Sequence, residues 1–534
     1  GDGVGDLRGI IDHLDHVAGL GIDVIWLSPI YRSPMDDMGY DISDYDDIDP
    51  LFGTLADFDE LIAGVHARGM KLVMDLVVNH TSDEHPWFVE SRDPASDKRD
   101  WYIWRPPRDG MIGGEPGAEP TNWGSFFGGR SWQWDAASGE YYLHLFSTKQ
   151  PDLNWENPAV RQEVYAMMRR WVERGVDGFR MDVINLISKT YPLTDGEPVP
   201  GLGISFDVKK VTDGPRAIEF IEEMNAAVGL TEHHLLTVGE MVDIDIEHAR
   251  AYTSQHHPRL TMVFHFQHMG LDLAPGFDRY AHRPLHLPDL KKNLASWQAG
   301  LTDEGWNSLY WCIHDQPRVV SRFGDDSDEF RVASAKTLAT VLHLHRGTPY
   351  VYQGEELGMT NAGLASADDY ADIDAIHYLE EGRAMGVPQE VSLANLAWKS
   401  RDNARTPMCW SDEALAGFTT GTPWLRVNGN FREINAAAQV DDPASVYAHY
   451  RRLIELRHSN QVVRDGDFEL LLPDDERVWV FVRTLGERRL LVIANMTSSA
   501  IGLPMAELPD LSDARLVLTN LPQALDDVQT LEPW

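Results

Sequence analysis

Cysteine is almost absent. Cys312 and Cys409 are the only two in 534 residues, so there is no disulfide framework and the fold must rest on its core. That poverty fits a reducing compartment, and the cytoplasm is expected. No apolar run reaches about 18 residues, so no membrane span is expected, and no signal-peptide pattern is present. Basic residues are scarce: 46 Lys and Arg face 84 Asp and Glu, a net charge of −38. A chain this acidic repels nucleic acid and anionic membranes and suits a small neutral or cationic partner. No Gly-rich phosphate loop occurs, which argues against nucleotide chemistry. Internal repeats and low-complexity tracts are missing too. The chain opens on Gly1-Asp-Gly-Val-Gly-Asp6 with no initiator Met, so the natural N-terminus is expected upstream.

What is present is a rhythm of strands and helices. Hydrophobic residues make up 43% and charged ones 24%, enough for a large core with appended modules. A helix is predicted over Leu7 to Leu20, stopping at Gly21, and then an apolar strand, Val24 to Leu27. Ala56 to Arg68 carries Phe58, Leu61, Ile62 and Val65 on one face and reads as a helix ended by Gly69. Lys71 to Val78 is a second strand. A helix capped by Asn157 with Pro158 at its first position leads through Gly175 to a third, Gly178 to Met181. Further strand candidates are Leu235 to Glu240, Thr261 to His265, Ser308 to Asp315 and Thr348 to Gly354. Strands apolar on both faces and alternating with helices predict an α/β fold, a parallel (β/α)8 barrel. Seven strands are visible, and the first barrel strand is expected to lie upstream of Gly1.

Two stretches break the rhythm. Residues 81–149 hold Trp87, Trp101, Trp104, Trp123, Trp132 and Trp134 and are read as an inserted, irregular subdomain, because so long a bare loop is improbable. Residues 462–534 alternate short strands with turns and are read as a C-terminal antiparallel β domain. The barrel then comprises residues 1–80 and 150–461.

Ionisable residues fall at successive strand ends: Asp75 and His80, Arg180 and Asp182, Glu240, then His314 and Asp315. Barrel enzymes carry their reacting groups there, and unpaired carboxylates at dry strand ends are expensive. Strand periodicity puts Arg180 and Asp182 on one side, and a guanidinium beside a carboxylate favours its ionised form. Four acids and two histidines without thiolates do not look like a zinc site. One ionised acid and one protonated acid suit cleavage of a glycosidic bond: Asp182 suits the first part and Glu240 the second. The alternative is a set of structural ion pairs.

The motifs Asp75-Leu-Val-Val-Asn-His80, Gly178-Phe-Arg-Met-Asp182, Val238-Gly-Glu240 and His314-Asp315 appear in the order of the α-amylase family of glycoside hydrolases, which this chain resembles. Gln150-Pro-Asp-Leu-Asn154, His314-Asp-Gln-Pro-Arg318, Gly347-Thr-Pro-Tyr-Val-Tyr-Gln-Gly-Glu-Glu356 and Arg401-Asp-Asn-Ala-Arg-Thr-Pro407 extend the similarity to its oligo-1,6-glucosidase and α-glucosidase branch. The resemblance implies a small oligosaccharide as substrate, Asp182 as nucleophile, Glu240 as general acid/base and Asp315 as the acid that binds and distorts the reacting sugar. It implies that His80, Phe146, Arg180 and His314 surround that sugar, and that Asp37, Tyr40, Arg401 and Arg405 close the pocket. Stereochemistry is retained in the family, so Asp182 and Glu240 should lie about 5–5.5 Å apart. Val183, after the nucleophile, implies a preference for α-1,6 bonds. Asp2, the Val4 carbonyl and Asp6 would form part of a structural Ca²⁺ loop. Departures from the branch are Met38, Cys312-Ile313, Val242 and Cys409, none of which removes a reacting group. A monomer or dimer is expected. Competing readings are a sucrose isomerase or transglucosylase, an α-1,4-preferring α-glucosidase, and a non-catalytic relative like the heavy subunits of amino-acid transporters.

Overall fold

The computed structural model describes residues 2–254, 256–257, 259–276, 278–521 and 529–534. The apolar runs form its central strands: β1 Val24–Leu27, β2 Lys71–Leu76, β3 Gly178–Met181, β4 Leu236–Glu240, β5 Met262–Phe264, β6 Ser308–Leu309 and β7 Thr348–Pro349. Strands β1 to β5 pair in chain order, all parallel. A parallel bridge between Val263 and Asn307 joins β5 to the β6–β7 pair. Parallel neighbours in chain order, linked by helical crossovers, make a β/α barrel wall. Seven such strands stand among the described residues. β6 and β7 are shorter than their apolar runs: the chain leaves the sheet after Leu309, so His314 and Asp315 sit on a turn.

Local chemistry explains how β3 is delivered. Asn157 caps the helix Pro158–Arg174 by accepting from the Ala159 N–H, and Gly175 ends it at φ +111°. That left-handed turn suits glycine and feeds β3 at once. At Gly178 a Cβ would stand 2.0 Å from the Leu236 carbonyl oxygen, so only glycine lets β3 lie against β4. Helix Leu55–Ala67 starts on a capping box in which Thr54 and Asp57 each accept from the other's backbone N–H. The opening helix departs from expectation. It is two helices, Leu7–Asp12 and Leu14–Leu20, broken at His13. The His13 ring stacks on Trp410, 3.7 Å between centroids, a long-range contact that outweighs helical continuity.

The insert is more regular than its sequence suggests. Trp104–Arg105, Trp132–Asp135 and Glu140–Leu143 form a small antiparallel sheet with the last strand in the middle. Trp101, Trp104, Trp123 and Trp132 are buried; Trp123 and Trp132 pack in a small cluster with Tyr141 and Leu143, whereas Trp101 and Trp104 join the large core that continues into the barrel. Isolated bridges, His80 to Asp152 and Tyr102 to Leu153, tie this part of the chain together.

At the C-terminal end, β8 Asp467–Leu471, β9 Val478–Leu485 and β10 Arg488–Asn495 form an antiparallel meander. Trp479 and Phe481 are buried in one core with Trp311 and Leu338 of the barrel. Lys291, on helix Leu287–Gly300, pins the two units. Its fully buried ammonium donates to the carbonyls of Leu472, Asp475 and Val478 at 2.7, 2.6 and 2.9 Å, which uses all three of its donors. Replacing it by methionine strands three carbonyls. Lys291→Met is expected to destabilise the protein by roughly 3 kcal/mol, read as a lowered thermal midpoint, whereas an unchanged midpoint would show that the pin is dispensable.

Candidate active site

Register assembles the site. Asp75 on β2 and Arg180 on β3 are Cα partners across adjacent parallel strands, so their side chains share one face. Arg180 Nη1 donates to Asp75 Oδ1 and Oδ2 at 2.9 and 3.1 Å and to Asp182 Oδ1 at 2.7 Å. Its Nη2 lies 2.5 Å from Glu240 Oε1. The guanidinium is 1% exposed, with its carbon 4.9 Å from the centre of the Trp26 ring. Trp26 Nε1 and the Tyr40 hydroxyl also donate to Asp75 Oδ2, at 3.1 and 2.9 Å.

Three buried carboxylates therefore compete for one buried cation. Burial drives the Asp182 pKa well above the usual carboxylate range. Glu240 and Asp75 push it further, and Arg180 only partly offsets them. Asp75 is also raised, by burial against the pull of Arg180. This corrects the simpler expectation that Arg180 alone keeps Asp182 ionised. Asp75 and Asp182 share the Arg180 guanidinium, so their protons come off as those of a coupled pair.

Asp315 is held the other way. Burial raises its pKa, but His314, Arg401 and Arg405 outweigh burial and bring it well below the usual range. Its partners are His314 Nε2 at 3.0 Å, Arg401 Nη1 at 3.1 Å and Arg405 Nη2 at 2.9 Å. The His314 ring lies parallel to Tyr40, 5.2 Å away and 6° off coplanar. Arg405 Nε also donates to the His314 carbonyl at 3.0 Å.

Arg401 spans the pocket end. It pairs with Asp372 through Nε at 2.7 Å and also through Nη2, and it reaches Asp37 Oδ1 at 3.4 Å. Its guanidinium carbon is 4.9 Å from the centre of the Phe127 ring. Asp37 accepts from Gln150 Nε2 at 3.0 Å. Burial pushes Asp37 up to about 7 against the opposing pull of Arg401 and Arg405.

Two expected sugar contacts look different in detail. His80 is neutral, its pKa brought down to about 4 by burial. Its Nδ1 meets the Asn79 amide at 3.3 Å and its Nε2 the Tyr40 carbonyl at 3.0 Å, so both nitrogens have protein partners. Phe146 packs on His80 and on Phe126, with centroids 5.3 and 5.2 Å apart. Val183 is more than a strand-end apolar residue. It stands at φ +37°, an outlier for a β-branched side chain, and its N–H donates to Glu240 Oε2 at 3.2 Å.

Asp182, Glu240, Asp315, Asp37, Tyr40, His80, Arg180, His314, Arg401 and Arg405 are thus one connected network, with Phe146 and Val183 packed at its edge. Asp2, Val4 and Asp6 lie outside it. Asp6 caps the first helix through Gly9 N–H at 2.6 Å, and Asp2 accepts from Val4 N–H at 3.1 Å. Among the described residues, no group of three or more His, Cys, Asp or Glu side chains is placed to hold a metal. Asp372 and Phe127 were not anticipated. Asp372 caps helix Ile373–Ala384, so in sequence it looks like any acidic helix cap.

The alpha-amylase catalytic-domain model matches residues 1–466. The chain belongs to the alpha-amylase family. Within that family it is 52% identical over 513 residues to an oligo-1,6-glucosidase of Parageobacillus thermoglucosidasius, covering 96% of this chain and 89% of the relative. The solved trehalose-6-phosphate hydrolase of Bacillus licheniformis superposes with a TM-score of 0.91 at 44% identity, over 100% of this chain and 95% of that one. A trehalulose synthase matches with a TM-score of 0.91 at 39% identity, with the same coverage. As a member of the alpha-amylase family, the chain is a glycoside hydrolase.

The carboxylate cluster has a testable signature. A carboxyl whose folded-state pKa is raised costs stability once pH climbs past its unfolded value. Asp182→Asn removes that cost. If Asp182 is the nucleophile, kcat should fall at least a thousandfold, with a thermal midpoint at pH 7 equal to or above that of the parent. A lowered midpoint would contradict the charge crowding around Arg180.

Proposed function

We propose that the protein is an exo-acting, retaining α-glucosidase that hydrolyses terminal α-1,6-linked glucose from isomaltose, isomalto-oligosaccharides or dextran ends. The carrying observation is the shared guanidinium. Arg180 holds Asp182 on one terminal nitrogen and Glu240 on the other, which supports the short carboxylate separation that retention needs. In this reading an Asp182 oxygen attacks the anomeric carbon. The bond to the leaving sugar breaks as Glu240 gives its oxygen a proton, and a glucosyl ester remains on Asp182. Glu240 then takes a proton from water, whose oxygen attacks the same carbon and frees Asp182.

Asp315, ionised between His314, Arg401 and Arg405, binds the sugar hydroxyls and favours ring distortion. Asp37 and Arg401 meet the far end of the glucose. Because Arg401 is itself tied to Asp372, they form a wall, and a walled pocket accepts chain ends only. The α-1,6 preference is supported by identity of about half to oligo-1,6-glucosidases over nearly the whole chain, and by Val183 beside the two acids. The convergence of all three acids disfavours a non-catalytic relative.

The rest of the reading is coarser. The reading is of a cytoplasmic monomer or dimer acting on small oligosaccharides; no helix among the described residues is long and apolar enough to cross a membrane. A calcium ion would take one free oxygen each from Asp2 and Asp6 and the Val4 carbonyl. That is about half of the six to eight donors calcium requires, so the loop fits only as part of a site.

Initial rates decide the substrate. We expect kcat/KM on isomaltose to exceed that on maltose about tenfold or more, the scale a shaped pocket achieves, with any sucrose turned over at high concentration appearing as glucose and fructose in equal amounts. A maltose preference, or sucrose isomers as main products, would overturn the assignment. For calcium, a melting midpoint that falls with EDTA and recovers with Ca²⁺ is expected, and identical melting curves would rule the ion out.

A further inference from the structure

Asp182 and Glu240 leave adjacent strands into separate loops, and a buried amide ties those loops together. Asn185 is three residues past Asp182, in the short helical turn Ile184–Leu186, and is fully buried. Its Nδ2 donates to the Val242 carbonyl at 2.8 Å, and its Oδ1 accepts the Val242 N–H at 3.1 Å. Val242 is two residues past Glu240. One side-chain amide thus imitates a backbone pairing between the two loops, just where the β3–β4 ladder has ended.

The amide is itself held. Nδ2 also donates to Asp213 Oδ2 at 3.1 Å, and the Asp213 N–H returns to the Asn185 carbonyl at 2.9 Å. The Tyr252 hydroxyl fixes the other Asp213 oxygen at 2.9 Å. The backbone flanking this strap is in the left-handed region at Val183, Asp213 and Asp243, with φ of +37°, +47° and +52°. Positive φ at a valine persists only where its surroundings over-determine it. A fully satisfied buried amide supplies that constraint.

We propose that Asn185 is a positioning residue that sets where Glu240 stands relative to Asp182 and, through Val242, shapes the wall met by the leaving sugar. This rests on the retaining reading above. Asn185 Oδ1 and Nδ2 are both spent on protein partners, so the residue acts through the loops and not on the substrate. Val242 packs against the cluster that contains Val183, so a shift of one loop moves both residues nearest the bond to be cut. Asp cannot replace it. A carboxylate still accepts from Val242 N–H, but it loses the donor to the Val242 carbonyl and faces Asp213 with a like charge.

The readout is leaving-group dependence. Isomaltose needs the proton from Glu240 to release its sugar, whereas 4-nitrophenyl α-glucoside releases a weakly basic phenolate that scarcely needs it. For Asn185→Asp we expect kcat/KM on isomaltose to fall about a hundredfold, the scale of a misplaced acid. The fall on the nitrophenyl glucoside should be within about tenfold, with the circular dichroism spectrum unchanged. Equal losses on both substrates would mean a merely structural role, and a loss under about threefold on isomaltose would also overturn the proposal. If Asn185→Asp does not fold, Tyr252→Phe slackens the strap from its far end and should show the same inequality at smaller scale; equal effects there would overturn it. If wild type cleaves another disaccharide and not isomaltose, the substrate reading fails on its own, and the same comparison runs with that disaccharide.

Discussion

One guanidinium in a dry place governs this molecule. Arg180 is almost wholly removed from water, and a charge moved there is tolerable only if paired. It is paired three times over, with Asp75, Asp182 and Glu240. Those carboxylates come from three consecutive barrel strands, so the ion cluster also closes the β2–β3–β4 wall at its C-terminal edge. A single cation does not neutralise three buried carboxylates: burial moves Asp75 and Asp182 toward their protonated forms, and Asp182 further because Glu240 and Asp75 crowd it.

Charge is distributed differently a few residues away. Asp315 has three cationic or protonatable partners and is ionised, whereas Asp37 shares Arg401 with Asp372 and is raised by burial. Neighbouring acids with separated proton affinities are the condition for one pocket to donate a proton at one atom and keep a charge at another. The chain from Asp372 through Arg401 to Asp315 and Asp37 also gives the pocket a rigid end. Gln150, just past the insert, donates from its amide nitrogen to Asp37 and to the Tyr40 carbonyl and so ties that edge to the pocket end. Packing, charge and access are therefore one arrangement.

Much of this was legible in the sequence because barrel strands are buried on both faces and read as unbroken apolar runs. An ionisable residue such as Asp75, Arg180 or Glu240 therefore stands out against its background. The α/β assignment and the seven strands follow from that contrast. Less legible features depend on contacts far along the chain. His13 breaks its helix for Trp410, and Asp372 looks like an ordinary cap until Arg401 is beside it. The insert's tryptophans are divided between a small cluster and the barrel's large core, and no spacing rule distinguishes either from a sugar platform. The crowding of Asp182 is illegible for the same reason: Arg180 is near in sequence, but Asp75 and Glu240 arrive only through sheet register.

The central claim is that Asp182, in the crowded shell of Arg180, becomes covalently glucosylated. The direct measurement is mass spectrometry of the intact protein and its peptides after exposure to a fluorinated α-glucosyl fluoride that forms the ester quickly and hydrolyses it slowly. The account predicts one fluoroglucosyl adduct per chain, on the peptide containing Gly178 to Val183 and localised to Asp182. An adduct on Glu240, or turnover of the reagent with no adduct and inverted product, would contradict it.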